Sequence, residues 1–201
     1  MMIGSVSFII AWTLFLGILA QHAARRRGLV LHAASRYWVA TAWVAAVVAA
    51  TSWMSLSLEA ALVVLVVAAV VDGQSGFIFD PLVVTGALGV IIIAAIEGAG
   101  TSSVCGAVVT AGAIFCIWIL SLGRGIGLGD VKLAAVVGAG FGPLGGISAI
   151  GVSFVVGAAI AVARLAAGTV HFGVPIRFGP YLLAGSVCFL AYHRLSDGVI
   201  R

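Results

Sequence analysis

Ala60-Ala61-Leu62-Val63-Val64-Leu65-Val66-Val67-Ala68-Ala69-Val70-Val71-Asp72 is apolar on every face a helix could present, and it ends on a carboxylate. An all-round apolar helix is buried in protein or in lipid, because it offers no stripe to water. Similar runs recur along the 201 residues, of which 63% are hydrophobic and 8% charged. That charged share is about a third of the share expected in a soluble domain. Punctuation by glycine, proline and charge predicts helices over 3–21, 37–54, 57–71, 81–96, 104–122, 130–141, 146–166 and 179–195. The expected fold is all-α, a polytopic transmembrane bundle of about eight helices. With about 20 residues needed per crossing, 1–201 reads as a single membrane-embedded domain.

The basic residues set an orientation, because Lys and Arg near helix ends resist translocation. With the N-terminus outside (periplasmic), the inner connections are 22–36, 72–80, 123–130 and 164–178. These and their margins hold Arg25, Arg26, Arg27, Arg36, Arg124, Lys132, Arg164 and Arg177, eight of the ten basic residues. Asp72, Asp80 and Asp130 then face the cytoplasm, and Glu59, Glu97 and Asp197 the other side. The first run is followed, not preceded, by Arg25–Arg27, so it reads as a retained helix and not a cleavable signal. A net charge of +4 scattered among apolar runs forms no phosphate-binding stripe, so nucleic acid is not an expected partner. Membrane lipid is. Cys105, Cys116 and Cys188 have no metal-ligand spacing and read as small core residues.

Carboxylates at the margin of a membrane are costly and need a reason. Asp130, in Gly125-Ile126-Gly127-Leu128-Gly129-Asp130-Val131-Lys132-Leu133, has a structural reading as a helix N-cap. Asp72 has one as an interfacial acid. Taken together, two carboxylates at one membrane face, each beside glycines that allow close backbone approach, can share a proton and polarise one water. One then acts as general base while the other hydrogen-bonds the scissile carbonyl, with no metal or cofactor required. Their proton affinities belong to the pair.

Gly127-Leu128-Gly129-Asp130-Val131-Lys132-Leu133 resembles the GxGD signature of bacterial type IV prepilin peptidases and its GDVKL continuation. Two more segments resemble the same family. Asp72 is followed eight positions later by Asp80, as that family's first catalytic aspartate is by its (Ile/Leu)-Pro-(Asp/Asn) segment. Phe178-Gly179-Pro180-Tyr181-Leu182 is similar to its FGP(Phe/Tyr)L segment. The resemblance implies an aspartic endopeptidase of the inner membrane, with Asp72 and Asp130 catalytic. It also implies that Gly127, Gly129, Lys132, Asp80, Gly179 and Pro180 shape the site or contact substrate. The substrate would be a prepilin or pseudopilin precursor, cut after a glycine in its leader. Phe79 departs from the usual proline, and Gly76 and Phe77 stand where basic residues are common. The connection 22–36 lacks the four-cysteine segment linked to N-methylation in many members, so the chain resembles the shorter ones, and methyltransferase activity does not follow.

Asp80 before Pro81 also reads as a helix start, and Lys132 as a neighbour that lowers Asp130's proton affinity, holds a substrate carboxylate or reaches the headgroups. Presenilin-like enzymes share GxGD but carry a Tyr-Asp pair and a Pro-Ala-Leu segment, both absent here. Two other classes stay open. One is an ion or small-molecule transporter, against which no acid stands mid-helix; the other is an inactive scaffold of a pilus machine. A homo-oligomer is compatible with the sequence.

Overall fold

Glycine and proline punctuate this chain more than polarity does, and the helix ends follow them. The computed structural model describes residues 2–28, 54–123, 126–169, 171 and 178–199, with side chains from residue 7 to 193. These residues form six helices: α1 (Met2–Arg26), α2 (Leu56–Ser75), α3 (Asp80–Ile96), α4 (Gly100–Leu120), α5 (Leu128–Ala166) and α6 (Gly179–Val199). Among the described residues there is no strand, and four helices are long and apolar enough to cross a membrane. The expected helix 37–54 lies outside the described residues, apart from Met54.

α5 is two helices joined end to end. At Gly142 the backbone takes φ 72°, ψ −179°, a combination essentially confined to glycine, and Pro143 follows. A Cβ built on Gly146 would stand 2.9 Å from the Gly138 Cα. In a straight helix, residues eight apart are separated by about 12 Å. The chain therefore doubles back at Gly142, and the expected helices 130–141 and 146–166 are the two arms of α5.

Lipid supplies little hydrophobic drive for helices to associate, so small residues and interhelical hydrogen bonds decide the contacts. α4 packs on α5 more extensively than any other pair does. Gly106 and Gly138 meet there with no room for a side chain on either. The Thr110 hydroxyl, 2.8 Å from Ala134 O and 2.8 Å from Gly106 O in its own helix, and the Ser103 hydroxyl, 2.8 Å from Ala139 O, donate across the contact. Each such bond contributes on the order of 0.6 kcal/mol. Ser153 links the second arm of α5 to Leu182 O of α6 at 3.3 Å.

α2 and α5 are central. α2 touches α1, α3, α5 and α6, and α5 touches α2, α3, α4 and α6. The stretch from Ala60 to Asp72 is accordingly buried along most of its length. The outer surface is strongly apolar: Ile96, Leu120, Leu144, Val155 and Val162 are exposed, as suits lipid. Cys105, Cys116 and Cys188 also lie on that surface, correcting the expectation of core cysteines. An apolar surround fits cysteine equally well inside a protein or against lipid, so sequence does not separate the two.

The end of α1, the end of α2 and the starts of α3, α5 and α6 gather at one end of the bundle. Arg27 lies over the Phe79 ring, Asp72 meets Gly179, and Lys132 meets Asp80. At the opposite end the Glu97 carboxylate accepts the N–H groups of Leu56 (2.7 Å) and Ser57 (3.2 Å), capping the start of α2.

Candidate active site

α2 ends because Gly76 adopts the left-handed conformation, φ 69°, and donates its N–H to Asp72 O at 2.8 Å. An αL glycine after the last turn is a common helix stop, since only glycine enters that region without a Cβ penalty. Asp72 therefore sits in the final turn of α2, with 5% of its surface exposed. A carboxylate so enclosed requires partners. Its Oδ2 accepts the N–H of Gly179 at 3.0 Å.

The Phe178-Gly179-Pro180-Tyr181-Leu182 segment explains that bond. Gly179 opens α6, where amides lack intrahelical acceptors and the helix dipole favours negative charge. The N–H groups of Tyr181 and Leu182 both go to Phe178 O at 3.0 Å, and Pro180 has none. The Gly179 amide remains for Asp72. A Cβ on Gly179 would lie 2.9 Å from Asp72 Oδ2 and 3.1 Å from its Cβ, so the approach needs glycine. The Phe178 ring packs on Phe154 of α5, centroids 4.9 Å apart, which anchors the segment.

Asp130 lies in the first turn of α5, half-buried, and its Oδ2 accepts the Gly127 N–H at 3.1 Å. Gly127, not Asp130, is the N-cap; Asp130 sits three residues on and reaches back, the carboxylate half of a capping box. Asp130 stands at the end of the bundle that holds Asp72, since the residue before it, Gly129, packs on Ile78 from the connection after α2. The end of α2 and the start of α5 thus present one carboxylate each at the same end of the bundle, each held by an amide at a helix start.

Around this pair, the short connection between α2 and α3 lies against the start of α5. A Cβ on Gly129 would come within 3.0 Å of Ile78 Cβ, so glycine here admits the Ile78 side chain. Asp80 is the first residue of α3, and Phe79 is the cap residue, without a side-chain cap bond. The Asp80 carboxylate instead accepts from Lys132 Nζ at 2.6 Å. The expected N-cap role of Asp80 gives way to this ion pair, because the start of α5 brings a cation within reach. Phe79 takes φ −80°, within proline's range, so the connection keeps the path a proline would impose. Its ring is fully buried, with the Arg27 guanidinium 5.5 Å from the centroid.

All eight residues singled out from sequence stand at this end. Asp72, Gly179, Asp130 and Gly127 are linked by hydrogen bonds, Asp80 and Lys132 by charge, and Gly129 by packing; half-buried Pro180 shapes the α6 start. Gly125 lies outside the described residues. Sequence reasoning missed Ile78 and the Arg27–Phe79 contact, and it noted Phe178 within a motif without its contact to Phe154. The apolar run Phe77-Ile78-Phe79, in a connection that otherwise leaves the membrane, was the signal available. Among the described residues no three His, Cys, Asp or Glu side chains gather as a metal site needs.

A helical bundle with an apolar exterior and two carboxylates gathered at one end defines a membrane protein with the makings of an acid–base site. The model of the type IV leader peptidase family matches residues 59–162, and the chain belongs to that family. The match contains Asp72, Asp80 and the Gly127–Lys132 stretch; Gly179 and Pro180 lie beyond it. The chain is 36% identical over 83 residues to the prepilin leader peptidase/N-methyltransferase of Burkholderia pseudomallei strain 1026b, and equally to that of strain K96243. The aligned stretch is 39% of this chain and 27% of those relatives, so the chain spans about a quarter of their length. No solved structure matches the chain.

Proposed function

We propose that the chain is an aspartic endopeptidase that removes the N-terminal leader of prepilin-like or pseudopilin-like precursors at the cytoplasmic face of the inner membrane. The reading rests on one observation above others: Asp72 and Asp130, 58 positions apart, come to the same end of the bundle, where Ile78 of the connection after α2 packs on Gly129 beside Asp130. Family membership supports a leader-peptidase role, and the distribution of Lys and Arg supports a periplasmic N-terminus and a cytoplasmic site.

In this mechanism a water lies between the two carboxylates. The ionised member takes a proton from it as the oxygen attacks the scissile carbonyl carbon, and the protonated member hydrogen-bonds the carbonyl oxygen as charge develops there. Collapse of the tetrahedral intermediate breaks the C–N bond, and the abstracted proton passes to the leaving nitrogen. The Gly179 amide holds the Asp72 carboxylate in one orientation, and the Gly127 amide does so for Asp130. By resemblance to the family, cleavage follows a glycine just before the mature apolar segment.

Co-expression with a pilin-like precursor, read by mass spectrometry of the precursor, tests the reading. Asp72→Asn and Asp130→Asn are each expected to abolish leader removal, a loss of at least about a thousandfold, with normal accumulation in the membrane. Wild-type levels of cleaved product from either variant would refute the dyad.

A further inference from the structure

Asp72 accepts a hydrogen bond from the start of α6, and Asp130 accepts one from its own helix start. Among the described residues, two contacts join the segment that follows α2, which carries Asp72, to the start of α5, which carries Asp130. One is the Ile78 side chain seated on Gly129, directly before Asp130. The other is the ion pair from Lys132, two residues after Asp130, to Asp80. Ile78 lies in the connection that follows α2 and Asp80 opens α3 directly after it, so the two contacts bracket Asp130 from either side.

We infer that the Asp80–Lys132 ion pair is a clasp that sets the separation of the two catalytic carboxylates, with Asp80 and Lys132 as positioning residues. The inference rests on the proposed peptidase reading. The pair is about half exposed, with side-chain accessibilities of 56% for Asp80 and 41% for Lys132. An ion pair so open to solvent adds little to global stability. Its consequence is local: a displacement of about 1 Å between reacting groups can cost about a hundredfold in rate. Lys132 is thereby drawn away from a direct role toward substrate carboxylates, and Asp80 from capping its own helix.

The test uses the full chain reconstituted in vesicles, with a synthetic peptide carrying a basic leader, a glycine and the following apolar residues as probe. Asp80→Asn and Lys132→Met are each expected to lower kcat about tenfold or more with KM changed less than about twofold. The exchanged double variant, Asp80→Lys with Lys132→Asp, restores the attraction in the opposite sense and is expected to recover at least half of the wild-type kcat. Thermal unfolding of the single variants should stay near wild type, which separates positioning from misfolding. Single variants with wild-type kcat would overturn the clasp, as would an exchanged variant no faster than the singles, or a loss confined to KM. Asp72→Asn, run in parallel, keeps the outcomes distinct: if it cleaves normally the peptidase reading fails, and if it is dead while the clasp variants are normal, the clasp alone fails.

Discussion

A methyl group on Gly179 would stand 2.9 Å from Asp72 Oδ2, so Gly179→Ala must push the buried carboxylate away or tilt the start of α6. Leader removal is expected to fall at least about tenfold in this variant while its membrane level stays normal, as read by blotting beside the product mass. Wild-type turnover would mean that the Asp72–Gly179 hydrogen bond is dispensable. At this scale the sequence was informative about which residues matter and silent about what they touch. Asp72 and Asp130 stood out as costly charges beside apolar runs. Gly179 was visible within a motif, but its role as the donor to Asp72 was not, since the two are 107 positions apart. The same holds for Asp80 and Lys132, 52 apart: spacing along a chain says nothing about contacts made when helices fold together.

Two glycines of α4, Gly106 and Gly112, look alike in sequence and differ in place. A side chain on Gly106 would overlap the Gly138 carbonyl oxygen, whereas nothing lies within 4 Å of one on Gly112. Gly106→Ala is expected to destabilise the protein by about 1–3 kcal/mol, the range for overfilling a packed contact. Gly112→Ala is expected to be neutral or stabilising by up to about 1 kcal/mol, since alanine is the better helix former. Thermal unfolding in detergent, followed by tryptophan fluorescence, reads both. Helix positions were largely legible because glycine, proline and charge interrupt the apolar runs; even the reversal at Gly142 divides 130–141 from 146–166. Which helix lies in the centre was not legible. Lipid and protein interior both select apolar side chains, so α2, enclosed by four neighbours, and α4, with Val108 and Leu120 exposed, carry the same signature.

For the molecule as a whole, the expected orientation places the α2–α3 connection inside and the α3–α4 turn outside. With Cys105, Cys116 and Cys188 replaced by serine, Gly98→Cys is expected to react with a membrane-impermeant maleimide added to spheroplasts. Gly76→Cys is expected to react only after the membrane is opened. The reverse pattern would invert the bundle and remove the site from the cytoplasmic face. One feature makes the dyad hostage to a distant helix. The amide that receives the Asp72 carboxylate belongs to α6 and lies 107 positions along the chain, so anything that loosens the seating of α6 turns that side chain without altering either aspartate.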